Sequence, residues 1–233
     1  SATFAVAAVV IAATAPRLAR PATGRYLGQL RDGFRFVGRD RLLGSIYAMS
    51  AVTNLLDAAL FSVLLPLWAH GTGRGPGEIG LVAAAMSGAA VLASLIAAAI
   101  GHRMPRRLTY LVAFLIAGAP RFIVLAVDAP LTAIVAVHLV SGFAAGFLNP
   151  IVGAVIFGRI PRELVGRVTG VGTALAWAGI PFGGIVGGAL AAGVGLAPAF
   201  LVLAGAYFVT TMLPGLHRGW REMDRPRPVR SSR

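Results

Sequence analysis

The chain has 233 residues, 57% of them hydrophobic and 12% charged, and its mean hydropathy of +0.80 favours a lipid bilayer over water as its surroundings. All 21 basic residues are Arg and they give a net charge of +13, but they punctuate long apolar runs, which argues against nucleic acid as a partner. The absence of Cys excludes disulfides and thiolate metal sites.

The N-terminal segment, residues 1–14, is apolar but short. At 1.5 Å per residue it reaches roughly 21 Å, less than a hydrocarbon core of about 30 Å. We interpret it as the last part of a transmembrane helix that begins upstream.

Residues 15–41 carry seven Arg and are predicted to form a cytoplasmic connector. Its second half, residues 25–39, has the pattern of an amphipathic helix at the membrane surface. The predicted apolar face comprises Tyr26, Leu27, Leu30, Phe34 and Val37, and the polar face comprises Arg31, Arg35, Phe36 and Arg39. Such a helix either senses anionic lipid, locks the cytoplasmic face, or simply links two helical bundles.

Six full membrane spans are predicted after the connector, each of about 20 apolar residues or more. They cover residues 42–69, 79–101, 108–127, 130–157, 168–191 and 197–216. The expected fold is therefore an all-α, six-helix transmembrane bundle over residues 42–216, followed by a basic tail at 217–233.

The Arg residues predict the orientation of this bundle. The segments 15–41, 102–107, 158–167 and 217–233 lie on one side of the membrane and hold 19 of the 21 Arg. By the positive-inside rule this side is cytoplasmic. We expect a multi-pass protein of the inner (plasma) membrane with a cytoplasmic C-terminus.

Polar residues follow one face of the first span. Tyr47, Ser50, Asn54 and Asp57 are spaced by three, four and three residues, which places them on one side of a helix. Asp57 lies close to the middle of the span, where an ionisable group is costly and is a functional hypothesis by default. Asp57 either handles protons or substrate, or is a buried acid satisfied by Asn54 or a neighbouring helix.

The third span contains Arg121, about six residues from its outer end, or roughly 9 Å along the helix. A long Arg side chain can snorkel over that distance. We expect Arg121 to snorkel or to pair with Asp128.

The fourth span carries His138 and Asn149, on a face completed by Gly142 and Ala145. His138 is either a proton carrier or a hydrogen-bonded packing residue. The Asn149–Pro150 pair predicts a kink, because Pro removes one backbone hydrogen bond.

The fifth span is rich in Gly and contains a Pro. Its small residues predict close helix packing, and Pro181 predicts a bend. The Gly residues concerned are Gly179, Gly183, Gly184, Gly187 and Gly188.

Two cytoplasmic stretches resemble the enterobactin-exporter-like and drug-exporter-like branch of the major facilitator superfamily. The sequence LRDGFRFVGRDRLL at 30–43 is similar to the connector before that family's seventh helix. The loop RIPRELVGRVTG at 159–170 is similar to its connector between the tenth and eleventh helices, including Glu163 and Arg167. The resemblance implies a twelve-helix parent of which this chain is the C-terminal half, partnered by an N-terminal six-helix half.

A third family signature is degraded. In the loop from Ala98 to Arg107, the Arg positions are kept by Arg103, Arg106 and Arg107, whereas the acidic position holds His102. The resemblance implies a cytoplasmic gating role for these Arg and for Glu163 and Arg167. The three Arg of the first loop alternatively act only as topology determinants.

The resemblance also implies the function. It indicates a secondary transporter that exports small amphipathic or hydrophobic molecules by alternating access, with protons as the expected coupling ion of an antiporter. The family's architecture places the first and fourth spans around the central cavity, where both carry polar residues.

Two other classes of protein compete with a transporter. A non-transporting remnant or membrane scaffold is the alternative. An integral membrane enzyme is not expected, because the four His, at 70, 102, 138 and 217, are scattered without a metal-binding spacing. No cofactor and no metal are expected.

Overall fold

A computed structural model describes residues 26–216 and 218–224 of the chain. Every regular element in these two ranges is helical. The α-helices are Tyr26–Arg39, Arg41–Ala59, Leu65–Gly71, Pro76–Ile100, Arg106–Ala117, Ala119–Ala126, Leu131–Gly146, Leu148–Arg159, Val165–Trp177, Ile180–Val194 and Leu196–Leu216. A π-helical segment covers Leu60–Leu64, and 3-10 helices cover Gly101–Arg103, Arg162–Leu164 and Arg218–Asp224.

Six helical stretches are long and apolar enough to cross a membrane. We call them the first to sixth spans: Arg41–Gly71, Pro76–Ile100, Arg106–Ala126, Leu131–Arg159, Arg162–Val194 and Leu196–Leu216. They confirm the six-span helical bundle that the sequence predicted. The partial span predicted for residues 1–14 and most of the tail lie outside the described residues.

Three of the spans are interrupted, and a Pro follows each interruption. Helices end at Ala117, Gly146 and Trp177, shortly before Pro120, Pro150 and Pro181. A Pro ring collides with the carbonyl four residues earlier and offers that carbonyl no N–H. For Pro150 and Pro181 that earlier residue is the last residue of the preceding helix.

The second and fifth spans flank the bundle. The second span packs along the fourth and the fifth along the first, while the sixth contacts the third and the first. In the apolar window of the second and of the fifth span only 11% of residues are buried, against 33 to 44% in the other four. These two spans therefore present broad apolar faces to their surroundings.

Small residues allow the second and fourth spans to touch. A Cβ atom at Gly142 would overlap the backbone of Met86, and one at Gly146 would overlap the backbone of Ala90. Ser94 closes the same contact by donating from Oγ to the Gly146 carbonyl at 3.0 Å.

The connector helix, Tyr26–Arg39, packs against the start of the fifth span. Gly33 lies directly against Arg167 and Val171, and Val37 is buried. The predicted apolar face is wrong at Phe34, which is 50% exposed, whereas Phe36 from the predicted polar face packs against the buried cluster around Val37. The reason is rotational: the contact is centred on Gly33, which brings Phe36 inward. The side chains of Tyr26 and Leu27 lie outside the described residues.

A salt-bridge network closes the Arg-rich end of the bundle, which the sequence predicts to be cytoplasmic. Asp40 caps the first span by accepting from the Leu42 and Leu43 amides at 3.1 and 3.2 Å. Arg159, at the end of the fourth span, donates to both oxygens of Asp40 and to Glu222 of the C-terminal 3-10 helix, at 2.9 to 3.1 Å. We call these three residues the cytoplasmic cluster, after the predicted side of the membrane.

Candidate functional site

A cavity of about 460 Å³ lies inside the bundle, and all six spans contribute to its wall. Its volume falls within the usual range of small-molecule sites, about 300 to 1,000 Å³. It occupies the predicted cytoplasmic half of the membrane, because its wall runs from Ile46, near the start of the first span, to Asp57 in the middle. We call it the central cavity. Its polar lining comprises Tyr47, Ser50, Thr53, Asn54, Asp57, Tyr110, Arg121, Asn149, Thr173 and Tyr207.

The innermost feature of this cavity is an ion pair between Asp57 and Arg121. Arg121 donates from Nη2 to the Oδ1 atom of Asp57. Asp57 lies 16 residues after Arg41 and Arg121 lies 15 residues after Arg106, so both are roughly 23 Å from the Arg-rich ends of their spans at 1.5 Å per residue. Both residues therefore lie at about the same depth, within their spans rather than at the Arg-rich ends.

Arg121 is only 1% exposed, while a third of the Asp57 side chain remains accessible. The rings of Phe122 and Tyr207 each lie 5.0 Å from the Arg121 guanidinium carbon, which is cation–π distance. The Nε and Nη1 atoms of Arg121 are buried without a hydrogen-bond partner. This cation thus retains two unused donors beside the cavity.

The expectation that Arg121 snorkels or pairs with Asp128 is wrong. Asp128 instead accepts from Trp68 Nε1 at 3.1 Å and from Arg74 Nη1 at 3.3 Å at the other end of the bundle. The third span breaks at Gly118, where the Tyr207 ring leaves no room for a side chain, and Arg121 lies in the first turn of the helix that follows.

The polar face of the first span is turned to the cavity as one stripe. Tyr47, Ser50, Asn54 and Asp57 all line it. Asn54 donates from Nδ2 to the Ala176 carbonyl at 2.9 Å, just before the break in the fifth span. Asn54 therefore satisfies the backbone of a neighbouring helix, and Asp57 takes its hydrogen bond from Arg121.

A π-helical segment, Leu60–Leu64, begins three residues after Asp57. Such segments are rare and are frequent at functional sites, because they offset the helical phase of the next turns. Periodicity alone gave no sign of it.

His138 does not line the cavity. It is fully buried, and its Nδ1 atom is 2.8 Å from the Ile134 carbonyl, while Nε2 has no hydrogen-bond partner. On the next turn of the same helix, the Ser141 hydroxyl donates to the Ile116 carbonyl of the third span at 3.1 Å. Asn149 and Ala145, by contrast, face the cavity.

The predicted gating residues lie at the Arg-rich end of the bundle, in two groups. Arg107 donates to the Gly215 carbonyl through Nε at 3.1 Å and, through its backbone N–H, to Asp224 at 3.1 Å. Arg167 pairs with Asp32 of the connector helix at 3.5 Å. Arg103 ends the 3-10 helix Gly101–Arg103, and neither Arg106 nor Glu163 forms an ion pair within the described residues.

The glycines of the fifth span divide into two sets. A Cβ atom at Gly179, Gly183 or Gly187 would press on the first span at Ala51, Ala58 and Ala59. Gly184 has only ordinary contacts, and Gly188 has open space. Pro181 lies in the first turn after the break at Ala178 and Gly179. The first set therefore fixes how closely the fifth span approaches the helix that carries Asp57.

Sequence reasoning missed Arg121 and Tyr207 as site residues. A signal for Arg121 was present: its distance from the Arg-rich end of its span is nearly that of Asp57. Among the described residues, no group of three or more His, Asp or Glu side chains is placed to hold a metal ion.

Comparison with known proteins adds the family. The sequence profile of the Major Facilitator Superfamily matches residues 47–233. The multidrug efflux pump Tap of Mycobacterium tuberculosis (strain ATCC 25618 / H37Rv) is 32% identical over 195 residues, which cover 84% of this chain and 46% of that protein. The multidrug efflux pump Tap of Mycolicibacterium fortuitum is 34% identical over 182 residues, covering 78% and 44%.

The chain spans about half the length of the curated relatives it matches. No solved structure matches it.

Proposed function

Since the chain belongs to the major facilitator superfamily, we propose that it is the C-terminal half of a proton-coupled exporter of small amphipathic or hydrophobic molecules. The observation that carries this proposal is the ion pair of Asp57 and Arg121, within the membrane spans on the wall of the central cavity. Charges inside transmembrane bundles typically mark ion or substrate pathways. The direction of transport is carried over from the relatives, which are named multidrug efflux pumps.

Asp57 is the proposed proton carrier. A proton on its carboxylate removes the charge that stabilises Arg121, and breaking a buried ion pair costs about 3 to 5 kcal/mol when one partner is left alone. Arg121 has two unused donors with which to take another acceptor. Protonation of Asp57 is thereby linked to a rearrangement around Arg121, which is what a coupled transporter requires.

The substrate is proposed to occupy the central cavity. Tyr47, Asn54 and Asn149 supply hydrogen-bonding groups, and Met86 and Trp177 supply apolar surface. Such a mixed wall suits molecules with both a polar and an apolar part. His138 lies outside this wall and is proposed as a packing residue.

An N-terminal six-helix half is the proposed partner. The sparsely buried second and fifth spans flank the central cavity and expose large apolar side chains, among them Leu92 and Leu95 on the second and Phe182 and Ile185 on the fifth. A second bundle would meet these flanks when it rocks against this one, with lipid covering the remainder. The partial span at 1–14 and the connector at 15–41 are proposed to lead from that half into this bundle.

The protein is multi-pass, and we place its Arg-rich ends and C-terminus in the cytoplasm and its spans in the inner membrane. The links of Arg107 to Asp224 and of Arg167 to Asp32 tie the tail and connector to the bundle. They support a gating role for this surface.

The test is proton-gradient-driven efflux by the full-length transporter in membrane vesicles, normalised to inserted protein. Asp57→Asn keeps the shape but cannot titrate, so substrate binding survives and coupled efflux is lost. Asp57→Glu restores part of the activity with a displaced pH dependence. Asp57→Ala loses efflux and lowers the amount of inserted protein, because Arg121 loses its acceptor.

The matched control is Asp128→Asn, which removes the carboxylate that pairs with Arg74 at the opposite end of the bundle, where neither residue lines the central cavity. Its efflux should equal that of the wild type. Full coupled efflux by Asp57→Asn would eliminate Asp57 as the carrier.

A further inference from the structure

A second and larger cavity, of about 830 Å³, lies at the cytoplasmic end of the bundle and takes no part in the proposed transport cycle. Its walls come from the end of the connector helix, the start of the first span, the end of the sixth span and the C-terminal 3-10 helix. The first span starts at Arg41 and the sixth ends at Leu216, so the cavity lies at the level of the inner-leaflet headgroups. We call it the surface cavity.

The surface cavity has an excess of positive charge. Asp40 and Glu222 line it, but both accept hydrogen bonds from Arg159, which lines it as well. Arg39 and Arg41 are exposed at its edge, and the ion pairs of the described residues leave both without a carboxylate. Two guanidinium groups are therefore free to hold an anion, and guanidinium binds phosphate oxygens in a bidentate manner.

The rest of the wall is apolar and continues onto the outer surface of the sixth span. Phe36, Pro214 and Trp220 line the cavity, and Leu213 is 63% exposed at its rim. Leu216, one turn further on, is also exposed. An acyl chain that leaves the cavity can follow these side chains into the membrane.

We propose that the surface cavity binds one anionic phospholipid of the inner leaflet, with its phosphate held by Arg39 and Arg41 and an acyl chain along the sixth span. A free phosphate ion would satisfy the two Arg but would leave the apolar wall uncovered. The shape and charge of the cavity therefore select a lipid over a soluble anion. Bound there, the lipid joins the connector to both the first and the sixth span.

The probe is phosphatidylglycerol, added to the full-length transporter in detergent and in phosphatidylcholine nanodiscs, with retained lipid measured by native mass spectrometry. The test variant is Arg39→Gln with Arg41→Gln. The matched control is Arg31→Gln with Arg35→Gln, which removes two exposed Arg from the same connector helix but none from the cavity. Each Arg residue at the membrane surface strengthens the binding of anionic lipid. The test variant should therefore bind phosphatidylglycerol roughly thirtyfold more weakly, whereas binding by the control should change by about twofold or less.

Three outcomes would overturn the proposal. Equal losses in both variants would indicate a diffuse charged surface. Displacement of the lipid by millimolar inorganic phosphate would indicate an anion site, and absence of a retained lipid in the wild type would show that the cavity holds none. Because Arg39 and Arg41 have no described partners, the test variant should keep the wild-type melting temperature in pure phosphatidylcholine, which separates lost binding from misfolding.

Discussion

Arg121 and Arg159 are both buried and both pair with an acid of the first span or its cap, but they use their donors differently. Arg159 donates through Nε and Nη2 to the two oxygens of Asp40, and Nη2 also reaches Glu222. Arg121 donates through Nη2 to one oxygen of Asp57 and leaves Nε and Nη1 unpaired. Two acids therefore hold Arg159, whereas Arg121 bonds to one acid and has two nitrogen atoms without a partner.

The difference separates a structural site from a switching site. A bidentate guanidinium fixes the geometry of its partners, so the cytoplasmic cluster should hold three segments in one arrangement. Arg121 has unused donors beside a cavity, so a second arrangement of its pair is available at lower cost. Substitutions in the two pairs test this contrast.

The largest effect is expected for Arg121→Leu. It leaves the Asp57 carboxylate without its partner in the membrane interior, and breaking a buried pair costs about 3 to 5 kcal/mol. Inserted protein should fall several-fold and coupled efflux should fall to background, as measured by in-gel fluorescence of a fused tag and by vesicle efflux.

A second substitution separates the two losses. Asp57→Asn combined with Arg121→Leu removes both charges, so insertion should recover while coupled efflux stays absent. Wild-type efflux from this double variant would mean that the pair is structural, like the cytoplasmic cluster.

Arg159→Gln should lower the stability of the protein while leaving efflux nearly unchanged, the reverse of the double variant. It breaks three hydrogen bonds to charged groups, at an expected cost of about 3 kcal/mol, because Arg159 and Asp40 are only 7 and 8% exposed. The melting temperature should drop, but efflux per inserted molecule should stay within about twofold of the wild type, the range expected when no catalytic or coupling contact is lost. Loss of efflux with an unchanged melting temperature would assign the cytoplasmic cluster a transport role.

The sequence was sufficient to predict the six spans and the interruptions near Pro150 and Pro181, but not the break of the third span at Gly118. Length, hydropathy and the division of Arg residues are properties of single segments, and the effect of Pro150 and Pro181 on the preceding turn is local. The stripe of Tyr47, Ser50, Asn54 and Asp57 was also predictable, because its periodicity lies within one helix.

The pairing of Asp57 with Arg121 was not predicted. A single sequence does not give the rotation of the third span about its axis, and the depth of Arg121 was counted from the outer end, where snorkelling suffices. Counted from the Arg-rich end of the span, its depth is nearly that of Asp57. The helical periodicity of the connector also gave the wrong exposure for Phe34 and Phe36, because the contact of Gly33 with the fifth span sets the rotation of that helix.

The spacing of His138 and Asn149 groups them on one helix face, but only Asn149 lines the central cavity. The two lie on one face of an ideal helix, but the cavity wall ends at Ala145 and the helix is interrupted at Phe147. Which stretch of a face meets a cavity depends on the neighbouring spans.

A smaller effect is expected from two substitutions of Asp40, which dissect the cytoplasmic cluster. Asp40→Asn removes the charge that holds Arg159 but keeps an oxygen that can cap the Leu42 and Leu43 amides. Asp40→Ala removes both, and the lost cap should cost about 1 kcal/mol more. Thermal unfolding of the two variants measures the difference. Equal melting temperatures would show that the cap contributes nothing beyond the ion pair.

The smallest functional effect is expected from two single-Cys variants that test where these sites lie in the membrane. The Arg159 end of the bundle is predicted to face the cytoplasm, since 19 of the 21 Arg were assigned to that side.

Glu163→Cys and Gly77→Cys are suitable because both positions are exposed, and a Cβ at Gly77 meets nothing within 4 Å. The chain has no Cys of its own, so a membrane-impermeant maleimide should label position 77 in intact cells and position 163 only after permeabilisation. Efflux should remain at the wild-type level in Gly77→Cys, because position 77 does not line the central cavity. Labelling of position 163 from outside would invert the bundle, and the cytoplasmic cluster would then face the opposite side.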